Sequence, residues 1–154
     1  MAAFTHTTAK GVQLFVMDIA SAEAYAITEA NLNANMGRPY QWTADGEALL
    51  IRSLDPDRQP LIDNEKSIPT GPTVSVNDGI KAQNRTYQDL LKNKNDEYNF
   101  EQLTRSELYL VDLSGKMTKW KGLGMYRGIS FSPDGEYVLV SEVQKPFSYI
   151  VTYG

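Results

Sequence analysis

The strongest constraint in this sequence is a turn written twice. Residues 131–135 read FSPDG between two runs rich in β-branched and aromatic residues, and residues 42–46 read WTADG in a similar setting. Pro133 fixes φ for the second position of a tight turn, and Asp134 and Gly135 suit the positions that follow. A strand is therefore expected to end at Phe131 and to restart near Tyr137. The earlier copy carries Ala44 in place of the proline, keeps an aromatic residue three places before Asp45 and leads into the apolar run ALLI at 48–51. It predicts the same hairpin in a weaker form.

A second echo keeps the order of the first. LFVMDI (14–19) matches LYLVDL (108–113) position by position in chemical type, and the spacing between the echoes differs only by a short loop. That is the mark of a repeat unit. Each unit predicts a strand (12–19 or 107–113), a short strand (24–28 or 117–120) and then the turn-bearing hairpin. The strands at 14–19 and 108–113 are apolar on both alternating faces, which suits a sheet covered on both sides. Four-stranded units with an aromatic-plus-DG signature point to blades of a β-propeller, each packed against its neighbours. The turn alone would suit an ordinary β-sandwich equally well; the paired second echo favours blades. The predicted fold class is all-β: about two four-stranded antiparallel propeller blades (11–54 and 107–153) with a loop-plus-short-helix insertion at 55–106.

A blade takes roughly 40 to 50 residues and closed propellers usually have at least about four. A chain of 154 residues supplies about two, and is expected to be a piece of something larger or an assembly subunit, one partial domain over 1–154. Two blades would leave Phe15, Met17, Tyr109 and Val111 on faces without a neighbour on at least one side, so self-association is an expected partner mode.

A formal charge of −4 and a pI near 5.0 leave no Lys/Arg cluster of the kind that phosphate backbones require, so nucleic acid is not an expected partner. The densest basic spot, KNK at 92–94, reads as a solvated loop. The absence of cysteine excludes disulfide and thiolate chemistry and leaves the compartment open. No run of about 18 apolar residues predicts a membrane-spanning helix. The first residues, MAAFTHTTAKG, lack the charged and apolar regions of a signal peptide.

About fifty residues separate the hairpin strand ending near Ser53 from the strand starting near Glu107, where a repeat needs only a few. The first half of this excess is dense in Pro, Gly, Asn and Asp and predicts extended loop. In the second half, Thr86 as N-cap, Asp89 as an imperfect capping-box partner, and Tyr87, Leu90 and Leu91 at helical spacing predict a helix over 87–92. A further turn or two over 97–103 would place Phe100 and Leu103 on one face. Helices are foreign to a plain blade, so the excursion is a decoration or a functional lid.

Catalytic chemistry finds little footing. Acyl transfer needs a nucleophile, a base and an orienting group, whereas the sole histidine is His6 and no G-x-S-x-G elbow is present. No catalytic residue is predicted. The stretch from Asn93 has oxygen-bearing residues at Asn93, Asn95, Glu97 and Asn99 but Tyr98 where a calcium loop needs glycine, and Thr104 at the position of the bidentate glutamate. No metal site and no cofactor is predicted. Gly122, Gly124 and Gly128 are spaced one residue too long for the dinucleotide fingerprint. NRT at 84–86 fits the glycosylation pattern, which matters only in a eukaryotic secretory setting.

The stretch from Asn84 through LYLVDLSG, followed by ISFSPDGEYVLVSEVQKPFSYIV, resembles the N-terminal propeller of prolyl-oligopeptidase-type serine peptidases, in particular the glutamyl endopeptidase branch. The resemblance extends over residues 11–153, with RTYQDLL (85–91) and KPFSY (145–149) more specific than the SPDG turn. It implies a propeller that caps an α/β-hydrolase domain, restricts access to its active site and contributes some substrate contacts, while the triad lies far downstream. The implied partners are that catalytic domain and a peptide substrate; the implied compartment is periplasmic or secreted. What carries over is a gating or docking role, and peptidase activity belongs to the parent protein. Arg85 is the cation nominated for an acidic substrate or an interdomain carboxylate, beside its reading as a structural salt bridge, and Tyr87 is nominated as a second contact beside its reading as a packing residue. The competing reading is a stand-alone β-rich interaction module whose open blade edges pair with another chain.

Overall fold

The computed structural model of the chain describes residues 1–66 and 91–147. Along them run β1 (Ala2–Thr8), β2 (Gly11–Met17), β3 (Ala24–Ala26), β4 (Tyr40–Trp42), β5 (Ala48–Leu54), α1 (Lys94–Thr104), β6 (Ser106–Asp112), β7 (Met117–Gly124), β8 (Tyr126–Phe131) and β9 (Val138–Glu142). Paired strands are antiparallel throughout, in a three-stranded sheet β1-β2-β3, a four-stranded sheet β4-β5-β6-β7 and a two-stranded ladder β8-β9. The architecture is all-β with one helix, as the repeat predicts, and its sheets match propeller-like blades.

The turn that is written twice is built twice. Thr43 N–H donates to Ala48 O and Ser132 N–H to Tyr137 O, each at 2.9 Å, while Gly46 and Gly135 donate back to Thr43 O and Ser132 O. Asp45 Oδ1 accepts from Glu47 N–H at 3.0 Å, and Asp134 Oδ1 from Glu136 N–H at 3.1 Å. The Thr43 and Ser132 hydroxyls donate to the same carboxylate oxygens. With φ of 70° and 74°, Gly46 and Gly135 sit in the left-handed region where a missing Cβ removes the steric cost. The second echo also repeats its local chemistry: Asp18 Oδ1 accepts from Ala20 N–H at 2.8 Å, and Asp112 Oδ1 from Ser114 N–H at 2.9 Å.

Sheet membership departs from the sequence unit. Each repeat was expected to form one four-stranded sheet, but β2 and β3 pair with β1, whereas β4 and β5 pair with β6 and β7 across the insertion. Residues 27–39 carry the chain out of the first sheet, with Leu32 bridging both Val12 and Ser53 on the way. The β5 edge thus reached is completed by β6, because buried strand edges must find backbone partners. Strand β1 was not anticipated from its polar N-terminal sequence; β2 aligns with it from Ala2↔Met17 to Thr8↔Gly11.

Strand alternation divides the core into two layers. Leu14, Val16, Ile27, Leu32, Leu49, Ile51 and Val111 are buried between the first and second sheets. Leu50, Leu108 and Tyr126 are buried on the other face of the second sheet, under Ile129, Phe131, Val138 and Val140. The middle sheet is therefore covered on both sides, and each fully buried aliphatic side chain contributes roughly 1.5–3 kcal/mol. This corrects the expectation that Tyr109 and Val111 lie open: Val111 is fully buried and Tyr109 packs on the same cluster. Phe15 and Met17 do alternate away from that core; Phe15 stacks on Phe4 at 5.6 Å between ring centroids, and Phe4 remains 40% exposed.

Candidate functional site

The excursion between β5 and β6 leaves and re-enters the sheet at register partners, Leu54 and Ser106. Among its described residues is α1. Asn93, in extended backbone, accepts from Asp96 N–H at 2.9 Å and caps the helix, and Asp96 and Glu97 place negative charge in the first turn. Lys94 pairs with Glu97 at 2.9 Å. The helix predicted over 97–103 is thus the body of a longer one, and KNK, expected as solvated loop, is where it starts. Of the helix predicted over 87–92, residues 87–90 lie outside the described residues, and Leu91 and Lys92 are not helical.

Polar side chains fix α1 to the sheet. Buried Asn33 donates through Nδ2 to Leu103 O at 2.9 Å and to Arg105 O at 3.0 Å, and Asn35 Nδ2 adds a bond to Leu103 O at 3.1 Å. These satisfy carbonyls that a helix C-terminus leaves unpaired. Gln102 Oε1 accepts from Gln59 N–H at 2.9 Å, and Asn99 holds the backbone of Ile62 by both its N–H and its carbonyl, at 2.7 and 2.8 Å. Arg105 reaches the buried carboxylate of Asp55 at 3.3 Å. Of the oxygen-bearing residues weighed as a calcium loop, Asn93 is a helix cap, Glu97 pairs with Lys94 and Asn99 clamps the backbone at Ile62.

Two hollows flank α1. One, of about 540 Å³, is bordered by Leu91, Asn93, Asp96, Asn99, Phe100 and Leu103, which realises the expected shared face of Phe100 and Leu103. The other, of about 340 Å³, lies between Glu101 and Arg105 at the helix end, Glu142 at the end of β9 and Lys145 beyond it. Phe100 meets Phe147 edge-on at 5.2 Å, and Lys145 pairs with Glu101. Of the glycines at 122–128, Gly124 is required by packing: a Cβ there would stand 2.7 Å from the Tyr126 ring, whose hydroxyl donates to Gly122 O at 2.5 Å, whereas one on Gly122 would meet nothing within 4 Å. Burial of that ring pushes the Tyr126 hydroxyl up to about 12, with Glu142 and Glu107 adding to the effect.

Arg85 and Tyr87, the nominated contact residues, lie outside the described residues. His6 is on β1, edge-on to Phe15 at 6.0 Å. Asn33, Asp55 and Gln102 were missed by sequence reasoning, and the only signal for the first of them is the asparagine-dense run NLNAN at 31–35.

No family model matches the sequence. The chain is 30% identical over 151 residues to "Probable glutamyl endopeptidase, chloroplastic" of Oryza sativa subsp. japonica, which is 96% of this chain and 16% of that protein. It is 33% identical over 116 residues to the protein of the same name from Arabidopsis thaliana, covering 71% of this chain and 12% of the relative. The chain is similar to part of a glutamyl endopeptidase. It spans less than a fifth of the length of these relatives, and what it matches is at most a partial domain of them. Both relatives carry a chloroplast designation. Among the described residues no helix is long and apolar enough to cross a membrane.

Proposed function

We propose that the chain is a non-catalytic β-propeller segment of a serine peptidase, gating or docking peptide substrate for an α/β-hydrolase domain outside this chain. The observation that carries the reading is the similarity of nearly the whole chain to one small part of proteins named as glutamyl endopeptidases. The doubly covered middle sheet supports it, since blades in a ring are covered in that manner. The insertion and α1 stand at the domain interface or the substrate entrance, with Arg85 and Tyr87 as its contact residues. The parent acts in a periplasmic, secreted or organellar compartment.

The alternative, a stand-alone interaction module, draws on the apolar outer face around Phe4 and Phe15. The reading frame discriminates: continuation into a hydrolase domain with a G-x-S-x-G elbow supports the peptidase reading, and a stop after Gly154 favours the module. In the parent protein, replacing residues 55–105 by a two-residue turn is expected to change kcat/KM for long peptides while sparing small esters. Equal kcat/KM for both substrate sizes before and after replacement would remove the gating role.

A further inference from the structure

We propose that Arg38, Arg52 and Arg127 form a pocket for a small carboxylate, at the junction of the second sheet with the β8-β9 ladder. Arg52 lies in the middle of β5 on the face it shares with Leu50, and it is 3% exposed. Its Nη1 donates to Met36 O and its Nη2 to Arg127 O at 3.0 Å. Its Nε is buried and has no hydrogen-bond partner among the described residues. Among those residues the ion pairs of 4.0 Å or less do not include Arg52, Arg38 or Arg127. A guanidinium taken out of water without a counter-charge is costly, and an anion would offset that cost.

The surroundings are shaped for one. A cavity of about 140 Å³ is lined by all three arginines together with Tyr40, Gln41 and Gly128, and no acidic residue borders it. Three arginines thus border one small cavity in a chain whose formal charge is −4. Arg38 and Arg127 are exposed and stand at the rim, whereas Arg52 is buried at the base. Gly37, at φ 72°, keeps the corner open: a Cβ there would stand 3.2 Å from Arg52 Nη1. At about 30 Å³ per water, the space holds on the order of four or five waters. That suits a carboxylate on a two- or three-carbon stem. Guanidinium forks fit the planar carboxylate through paired N–H donors.

Burial also lowers the affinity of Arg52 for its proton, the direction that desolvation dictates and that a bound anion would reverse. The site needs only these residues, so it stands whether or not the parent is a peptidase.

The test titrates glutarate, its neutral analogue glutaramide and inorganic phosphate into the full 154-residue chain, following the arginine Nε–H resonances by NMR. Glutarate is expected to shift the Arg52 Nε–H signal saturably, with glutaramide inert. Arg38→Gln and Arg127→Gln, both at exposed positions and safe for folding, should each weaken glutarate by about tenfold, the loss of one charged hydrogen-bond partner. Arg52→Gln should abolish binding, and its folded state is checked by the retained amide spectrum. Absence of saturable glutarate binding, equal response to glutaramide, or undiminished binding in both rim variants would overturn the pocket. Tighter binding of phosphate than of glutarate would overturn its assignment to carboxylates.

Discussion

The side-chain amide of Asn33 donates to the main-chain oxygen of Leu103 at 2.9 Å, joining positions 70 residues apart in sequence. The same amide also serves Arg105 O and Ser106 Oγ, each at 3.0 Å, so one buried group holds the end of α1 against the start of β6. Replacing Asn33 by leucine keeps the bulk and strands those acceptors. The expected loss is about 1–3 kcal/mol, the cost of leaving buried polar groups unpaired. Hydrogen exchange should show the loss concentrated at 100–106, and uniform protection across the chain would refute the clamp.

Two glycines separate steric from conformational cost. A Cβ on Gly11, at φ 141°, would stand 2.2 Å from Ala30 O, whereas one on Gly46, at φ 70°, would meet nothing within 4 Å. Gly46→Ala is expected to cost about 1 kcal/mol from its backbone alone. Gly11→Ala should cost more than about 2 kcal/mol, since backbone must also give way. Denaturant midpoints of the two variants decide it; equal losses would mean that the β1-β2 turn yields freely.

The repeat made the fold class, both turns and most strands legible, because tight turns and alternating apolar runs are local signals. The grouping of strands into sheets was not legible. Local pattern says that β5 needs a partner but not that β6, beyond the insertion, supplies it. Asn33 and Asp55 carried no local signal, since a polar side chain shows its buried partner only once the chain has closed around it. Arg52 was hidden by the same effect: within ALLIRSL it reads as an outward residue of a strand, yet both faces of that strand are covered.

Alkaline solution should expose the burial of Tyr126. Its hydroxyl is raised from 10.0 to about 12, so the folded state favours the protonated form. The associated stabilisation is complete below about pH 10, the ordinary tyrosine range, and is lost as pH rises toward the folded value. Absorbance titration should show Tyr126 titrating last, behind Tyr109, whose hydroxyl is also raised by its hydrogen bond to the Glu107 carboxylate, and Tyr126→Phe should remove the latest step. A variant that keeps that step would assign the shift elsewhere.

The outer face of the first sheet carries the stacked pair Phe4 and Phe15. The isolated chain is expected to associate through it as concentration rises, and Phe4→Thr with Phe15→Thr should shift the chain toward monomer. Light scattering across a concentration series measures this. A wild-type chain that stays monomeric at the highest concentration would show the face to be harmless.

The half-unit offset between repeat and sheet has a consequence for how such a chain can change length. Every sheet boundary falls inside a sequence repeat, so removing everything from Gly11 to Arg105 would join β1 directly to β6. That junction places a strand ending in Thr8 beside one starting at Ser106, and the pair would continue into β7 as β1 and β2 continue into β3. The new β1-β6 ladder would stand where β1-β2 stood, with β6-β7 in the place of β2-β3. Removal of one repeat is therefore expected to leave each remaining described strand with a partner, because the cut falls between strands that the offset re-pairs.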